Sequence, residues 1–335
     1  MTERTNPFQP IYKQLNAGTG EKTSMPLLLD IEPSNCCNFS CLFCLTGMKS
    51  LRRKTGFMDE SLFRLIIDEA AKYNIAIRFS RWGEPTLHPK FMDFLELTKS
   101  KGLLCHFNTN GSLLTEEKMK RILDMKVDSV KFSFQGVDEK TYGEMRYGES
   151  FDKLVQTISR FSELRGDKAY PYIHASTTIT YESAEMVEKF KKLLSAHCDY
   201  VSIGNTNLSS IMSQIDSLPE KYKILLQKLK KEESIEMVHK QCNEVFAKLS
   251  INFDGSVTCC CADYDNYMLV GSLNDVGDGL KYIWENSEKL RKYQEMLRAY
   301  HFDKLPLCRH CFDTMNLKSA VPDIIPNSLT SPAIT

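Results

Sequence analysis

Cys37, Cys41 and Cys44 lie in the run Cys37-Asn38-Phe39-Ser40-Cys41-Leu42-Phe43-Cys44, a C-x3-C-x2-C spacing on one short segment. Three thiolates so placed can hold three corners of a cubane iron–sulfur cluster, leaving its fourth iron without a protein ligand. Structural metal sites close with four ligands, whereas reactive sites keep a position open. An open iron is a place for chemistry, and the elements around this segment must supply whatever fills it. A zinc reading needs a fourth ligand. Cys36 is on offer, but adjacent cysteines chelate one ion only with strained geometry, so zinc is the minor reading here.

The chain has 12 cysteines, four of them at 36–44 and six between 242 and 311. Cys105 and Cys198 stand apart and read as small buried apolar residues. Clustering of this kind, in a chain expected to be cytoplasmic and reduced, suggests two metal centres rather than disulfides. Downstream, the expected ligands are Cys242, Cys260, Cys308 and Cys311. Four thiolates close a tetrahedral zinc site or fully ligate a second iron–sulfur cluster, and spacing alone leaves both open. Alternation along a strand turns Cys259 and Cys261 away from the face of Cys260. A register shifted by one would make Cys259 the ligand instead. His88, His106, His174 and His197 are scattered without partners at ligand spacing, and His310 is read as exposed.

The elements that must position these groups follow from periodicity. Pro26–Ile31 reads as a buried strand ending just before the first cysteines. Strand patterns near 75–80, 103–108, 128–134, 171–180 and 199–203 then alternate with helical ones near 59–73, 89–101, 115–125, 151–165 and 184–195. Six strands alternating with helices predict parallel βαβ units, and ligands bind at the carboxyl ends of such strands. Asp59, Thr115 and Ser183 are expected helix caps. Beyond 204 the pattern changes: a polar loop to 216, a charged helix over 218–235, then a hairpin turning at Asp254-Gly255, and a helix over 279–299 with Trp284 as a core anchor. Residues 1–24 read as an N-terminal arm and 317–335 as a disordered tail.

The first triplet, with Phe43 directly before its last cysteine, resembles the signature of the radical S-adenosylmethionine (SAM) superfamily. The second strand ends in Arg81-Trp82-Gly83-Glu84-Pro85, similar to the family's Gly-Gly-Glu-Pro segment, with Trp82 in place of the first glycine. The third ends Phe107-Asn108-Thr109-Asn110-Gly111, like the family's Thr-Asn-Gly turn, and the fourth carries Ser133 and Gln135 on one face. Arg146 stands where similar enzymes hold an arginine near the SAM carboxylate. The resemblance implies that Cys37, Cys41 and Cys44 bind a [4Fe–4S] cluster and that SAM chelates the open iron. It implies further that Phe43, Gly83, Glu84, Pro85, Asn108, Asn110, Ser133, Gln135 and Arg146 line the SAM site. Reductive cleavage of SAM then yields a 5′-deoxyadenosyl radical that abstracts a substrate hydrogen.

Cys242, the hairpin Phe253–Cys260, Val270-Gly271-Ser272-Leu273, Tyr282-Ile283-Trp284, Leu290-Arg291 and Cys308-x2-Cys311 together resemble the SPASM/Twitch extension of that superfamily. With no cysteine after Cys311, the shorter Twitch type with one auxiliary [4Fe–4S] cluster is implied. The expected fold is a partial (β/α)6 TIM-like barrel over 25–216, followed by a linker helix and a small α+β cluster-binding domain over 217–316. The implied function is oxidation of an alcohol or sugar-like small molecule, with the auxiliary cluster as electron acceptor and flavodoxin or ferredoxin as external donor. Radical modification of a ribosomal peptide is the rival, disfavoured by the lack of room for a recognition domain before residue 25. A zinc-stabilised binding protein without catalysis is the rival from another class. Thr178, Thr180, Asn205, Thr206 and Asn207 are candidate substrate contacts, and no general base is assigned, with His174 and Tyr142 the residues considered for it. With 43 basic and 43 acidic residues, balanced and without blocks, nucleic acid is not an expected partner, and no apolar run reaches membrane-span length.

Overall fold

The computed structural model describes residues 4–146, 148, 150–206, 220, 242–274 and 279–308. Asn207, the helix expected over 218–235 apart from Glu220, His310, Cys311 and the tail 317–335 lie outside them.

Six strands, β1 Leu28–Ile31, β2 Ala76–Phe79, β3 Cys105–Thr109, β4 Ser129–Ser133, β5 Tyr172–Ile179 and β6 Tyr200–Asn205, pair in parallel in chain order. Helices follow them: α2 Glu60–Lys72, α3 Phe91–Ser100, α4 Glu116–Asp124, α5 Glu139–Met145 with α6 Phe151–Arg165, and α7 Ala184–Ser195. Each strand is two-faced. Leu29, Ile31, Ile77, Phe79, Phe107, Val130, Phe132 and Ile173 join the main apolar core with the helices. The opposite face carries Asp30, Arg78, His106, Asn108, Lys131, Ser133 and His174, an interior far more polar than a packed barrel core. Asp59, Thr115 and Ser183 cap α2, α4 and α7 by accepting from Ser61, Lys118 and Met186 N–H. Ser133 ends β4 and Asp138 caps α5 with a full capping box, a helix that was not expected from periodicity.

Residues 4–24 are more than an arm. Helix α1, Gln9–Leu15, closes the amino-terminal ends of the strands, where Phe8 and Leu15 bury against Leu28, Ala76 and Ala247. Arg4 donates to the carbonyls of Gly166 (2.8 Å) and Lys168 (3.0 Å). A seven-residue helix offers too few apolar repeats to show in a sequence window.

The sheet continues past β1. The one-turn helix α8, Glu244–Ala247, leads into β7 Lys248–Ile251, which pairs with β1 in parallel. Then β8 Ser256–Thr258 and β9 Leu269–Ser272 add antiparallel strands, so the order is β6-β5-β4-β3-β2-β1-β7-β8-β9. The helix expected over 279–299 is two: α9 Leu280–Asn286 and α10 Glu288–Arg298. Ser287 breaks it by taking an extended conformation, capping the Leu290 N–H and donating its hydroxyl to the Val270 carbonyl (2.7 Å). Serine prefers this cap position to a helix interior. Trp284 is buried, its indole N–H on the Thr23 carbonyl (3.0 Å). No helix among the described residues is long and apolar enough to cross a membrane.

Candidate active site

The cysteine loop leaves β1 at its carboxyl end and is held by its own polar side chains. Ser34 donates to the Gly56 carbonyl (2.8 Å) and accepts the Cys36 N–H (3.0 Å). Asn35 binds both the Lys54 carbonyl and the Gly56 N–H. Cys37 Sγ accepts from Phe39 N–H (3.4 Å), with Asn110 Nδ2 at 4.0 Å. Burial pushes the Cys37 thiol up to about 12, the Phe39 N–H opposes this, and negative charge on Glu84, Cys44 and Cys41 adds to it. Burial also raises Cys41, while the Arg146 guanidinium beside it pulls it back. The three thiols therefore share one neighbourhood, and holding them as thiolates there favours a strongly electropositive occupant such as a metal cluster. Phe43, within the loop, is buried.

The segment after β2 locks onto this loop. The Glu84 N–H donates to the Cys36 carbonyl (2.9 Å). A Cβ at Gly83 would stand 2.0 Å from the Ser34 carbonyl oxygen and 2.8 Å from that of Cys36, so only glycine fits. Glu84 itself is buried and faces inward: it accepts from Thr86 N–H and hydroxyl (3.1 and 2.6 Å), Thr109 hydroxyl (2.8 Å) and Asn110 N–H (2.7 Å). Burial raises its pKa against those bonds. Its side chain thus welds the β2 and β3 exits together, and Pro85 opens the short 3-10 turn beside it. Asn110 reaches Asn38 (2.9 Å) in the cysteine loop. Asn108 lies deeper, between Ser80 (2.6 Å) and His106 (2.8 Å).

On the far side, Arg146 is buried, donates to the Ser133 carbonyl and lies 5.2 Å over the Phe39 ring. Its Nε and the Gln135 Nε2 are buried polar atoms without a hydrogen-bond partner. Orphaned donors at the strand ends beside an open three-thiol site are what a bound polar cofactor would satisfy. His174 hydrogen-bonds Ser202 (2.7 Å), and burial holds its pKa well below the ordinary histidine value. Tyr142 instead sits fully buried among Phe134 and Phe151, away from the polar face. Thr180 is tied to Glu182, and Thr206 donates to the Ile179 carbonyl. Thr178 is buried, with the Thr206 hydroxyl at 3.5 Å, and Asn205 closes β6.

At the second cysteine group, Cys242 lies two residues before α8, and Cys308 is buried against the core. Burial raises the Cys259 thiol, and charge on Cys308, Asp263 and Cys242 raises it further. Cys259 thus shares its surroundings with two of the expected ligands, while Cys260 is half-buried next to it. Strict alternation fails here because β8 ends at Thr258. Cys261 does not accompany Cys259; its Sγ lies within 4.8 Å of the carboxylates of Asp30 and Glu244, around the Lys248 ammonium.

Two residues with no expected side-chain role connect the sites. Arg81 donates to the carbonyls of Cys260 (3.1 Å) and Asp263 (2.8 Å) and to Asn252 Oδ1 (2.7 Å). The Trp82 indole N–H donates to the Asp263 carbonyl (3.1 Å), and its ring meets Tyr264 edge-on at 5.9 Å. Trp82 is the departure from the family segment, and the departure itself was the available signal.

Residues 31–194 match the radical SAM superfamily, and residues 242–312 match the SPASM iron–sulfur cluster-binding domain. The chain belongs to the radical SAM superfamily. Membership brings a [4Fe–4S] cluster, SAM and an auxiliary iron–sulfur centre; the buried thiols of Cys37 and Cys41 and the unpartnered Arg146 and Gln135 donors suit the first cluster and SAM, and Cys242, Cys259 and Cys308 are the described thiols gathered at the second. The chain is 30% identical over 184 residues to the tungsten-containing aldehyde ferredoxin oxidoreductase cofactor-modifying protein of Pyrococcus furiosus, covering 53% of this chain and 51% of that one. The chain thus spans about half the length of that relative. It is 21% identical over 291 residues to the S-adenosyl-L-methionine-dependent 2-deoxy-scyllo-inosamine dehydrogenase of Niallia circulans, covering 85% and 92%. Streptococcus suis SuiB bound to its precursor peptide SuiA shares the fold, with a TM-score of 0.64 at 16% identity over 87% and 72% of the two chains.

Proposed function

We propose that this radical SAM enzyme oxidises a hydroxyl group of a sugar-like small molecule, with a single auxiliary [4Fe–4S] cluster as electron acceptor. The observation that carries the reading is the second cysteine group, whose loop carbonyls at Cys260 and Asp263 accept from Arg81 and Trp82 in the segment that braces the first. One relative, matched over most of both chains, is the S-adenosyl-L-methionine-dependent 2-deoxy-scyllo-inosamine dehydrogenase, which supports the same reaction class. When bound, the first cluster and SAM supply a 5′-deoxyadenosyl radical able to remove a substrate hydrogen.

In this reading Cys37, Cys41 and Cys44 hold the first cluster, and Cys242, Cys308, Cys311 and one of Cys260 or Cys259 hold the second. Gly83, Pro85, Asn110, Ser133, Gln135 and Arg146 surround SAM, with Phe43 buried within the loop and Glu84 and Asn108 fixing the strand ends. His174 and Ser202 face the polar interior and offer hydrogen bonds to a hydroxylated substrate. An external one-electron carrier such as flavodoxin or ferredoxin supplies the reducing electron.

Anaerobic reconstitution should load about eight irons as two four-iron clusters. Replacing Cys37, Cys41 and Cys44 with alanine should halve the iron and abolish reductive SAM cleavage. Zinc without iron in anaerobically prepared protein would overturn the catalytic reading; one cluster only would remove the auxiliary acceptor and leave the radical chemistry.

A second reading, radical modification of a ribosomal peptide, is favoured by the PqqA peptide cyclase of Gluconobacter oxydans, 27% identical over 116 residues. A short precursor-peptide gene beside this one would support it, and sugar-pathway genes the first.

A further inference from the structure

We propose that Arg81 is a positioning residue for the auxiliary centre. Together with Trp82 it fixes the 260–264 loop to the SAM-binding segment, and its charge raises the reduction potential of the auxiliary cluster. The proposal rests on the auxiliary-cluster reading above.

Arg81 leaves the end of β2 and sends its guanidinium across to the loop after β8. Its acceptors are the carbonyls of Cys260 (3.1 Å), Cys261 (3.5 Å) and Asp263 (2.8 Å) and the amide oxygen of Asn252 (2.7 Å). All four are neutral. Asp263 feels the Arg81 charge but forms no ion pair with it, turning its carboxylate to the N–H groups of Tyr267 (3.0 Å) and Met268 (2.8 Å). A cation held by neutral acceptors in a half-buried place keeps more of its field than one paired to a carboxylate. Here that field falls on the backbone of a proposed cluster ligand. Groups that bond to ligand residues orient them, and nearby charge and hydrogen bonds set the potential of an iron–sulfur cluster. Positive charge stabilises the reduced, more negative state.

Trp82 completes the connection. Its indole donates to the Asp263 carbonyl, and its own carbonyl accepts the hydroxyl of Thr46, two residues beyond Cys44. The two cysteine groups are therefore joined by a short hydrogen-bonded route, Thr46–Trp82–Asp263, with Arg81 bracing its far end. A glycine at position 82 would offer neither the indole bond nor the packing on Tyr264.

The test uses the full chain with Cys37, Cys41 and Cys44 replaced by alanine, so that only the auxiliary cluster is paramagnetic when reduced. Midpoint potentials are read by EPR-monitored redox titration for this parent, for Arg81→Met and for Arg81→Lys. The expected result is a more negative midpoint in Arg81→Met and a return toward the parent value in Arg81→Lys. A fully loaded Met variant with an unmoved midpoint overturns the proposal. So does a Lys variant that falls as far as the Met variant, because a mere staple would be lost equally in both. If the Met variant does not fold, Arg81→Gln, which keeps donors without charge, takes its place under the same criteria. A parent that binds no iron overturns the auxiliary-cluster reading itself, an outcome distinct from a loaded cluster whose potential ignores residue 81.

Discussion

A methyl group at position 83 would press within 2.0 Å of the Ser34 carbonyl and 2.8 Å of the Cys36 carbonyl, both backbone atoms that cannot rotate away. Gly83→Ala should therefore displace the cysteine loop. The expected outcome is loss of about half the reconstituted iron, given two four-iron sites, with the auxiliary signal kept; full iron loading would refute it. The sequence motif marked Gly83 and Glu84 for the SAM site, and the geometry gives both a bracing role in which neither side chain has to touch a ligand. Glu84 was legible as important but not as an internal strut, because two of its four hydrogen bonds, from Thr109 and Asn110, come from a fold that spacing does not reveal. His106 makes a second residue-scale prediction. Burial lowers its pKa to about 3, against about 6.5 in an unfolded chain. Below pH 6.5 the unfolded chain binds a proton that the native state refuses, so stability is present above 6.5 and lost as pH falls toward 3. The contribution is about 1.4 kcal/mol per pH unit. Urea midpoints should show a shallower loss between pH 6.5 and 5 in His106→Gln than in wild type; equal slopes would show that His106 titrates normally.

Among the elements, those with repeated apolar periodicity were legible and those defined by a single contact were not. The five long helices and six parallel strands lie within a few residues of their sequence expectations, because alternation and capping residues repeat the same message. The misses share another cause. Ser287 splits a continuous helical pattern through one hydroxyl bond to Val270, β9 is defined by its pairing with β8, and α1 is only seven residues long. Helix α1 gains its place from tertiary packing, since seven residues are too few to be helical alone. Phe8 carries that packing: it is fully buried with Leu28, Ala76 and Ala247, and its ring meets His106 at 5.5 Å. Phe8→Ala should cost about 3–5 kcal/mol, read as a lower urea midpoint. A change below about 1 kcal/mol, the scale of ordinary surface substitutions, would mean that α1 is a loosely held arm after all.

Across the whole molecule, the sheet runs without interruption over the boundary proposed at 216/217, because β7 pairs with β1. The seam is held by charge as well as by hydrogen bonds. Asp30 on β1 forms a fork with Arg78 on β2 (2.5 and 2.9 Å) and meets the Lys248 ammonium on β7 at 2.9 Å, with Glu244 as the other partner of Lys248. Burial opposes the ionised forms of Asp30 and Lys248, yet the arginine and lysine hold Asp30 well below the carboxylate range, and Asp30, Cys261 and Glu244 hold Lys248 above its ordinary value. Across this seam two acids, Asp30 and Glu244, thus face two bases, Arg78 and Lys248. Lys248→Met removes one base and strands a negative charge, an arrangement that costs about 3–5 kcal/mol when the partner is buried. If the seam makes one cooperative unit, the loss reaches both sides. Far-UV circular dichroism follows the helices that flank β1–β6. Fluorescence follows Trp82 and Trp284, which contact or belong to the C-terminal elements. Both midpoints should fall together in Lys248→Met. A fluorescence transition that moves while the helical transition stays would show that the cluster-binding hairpin unfolds by itself. In that case the charge network would serve the C-terminal elements alone rather than the union of the two cysteine sites.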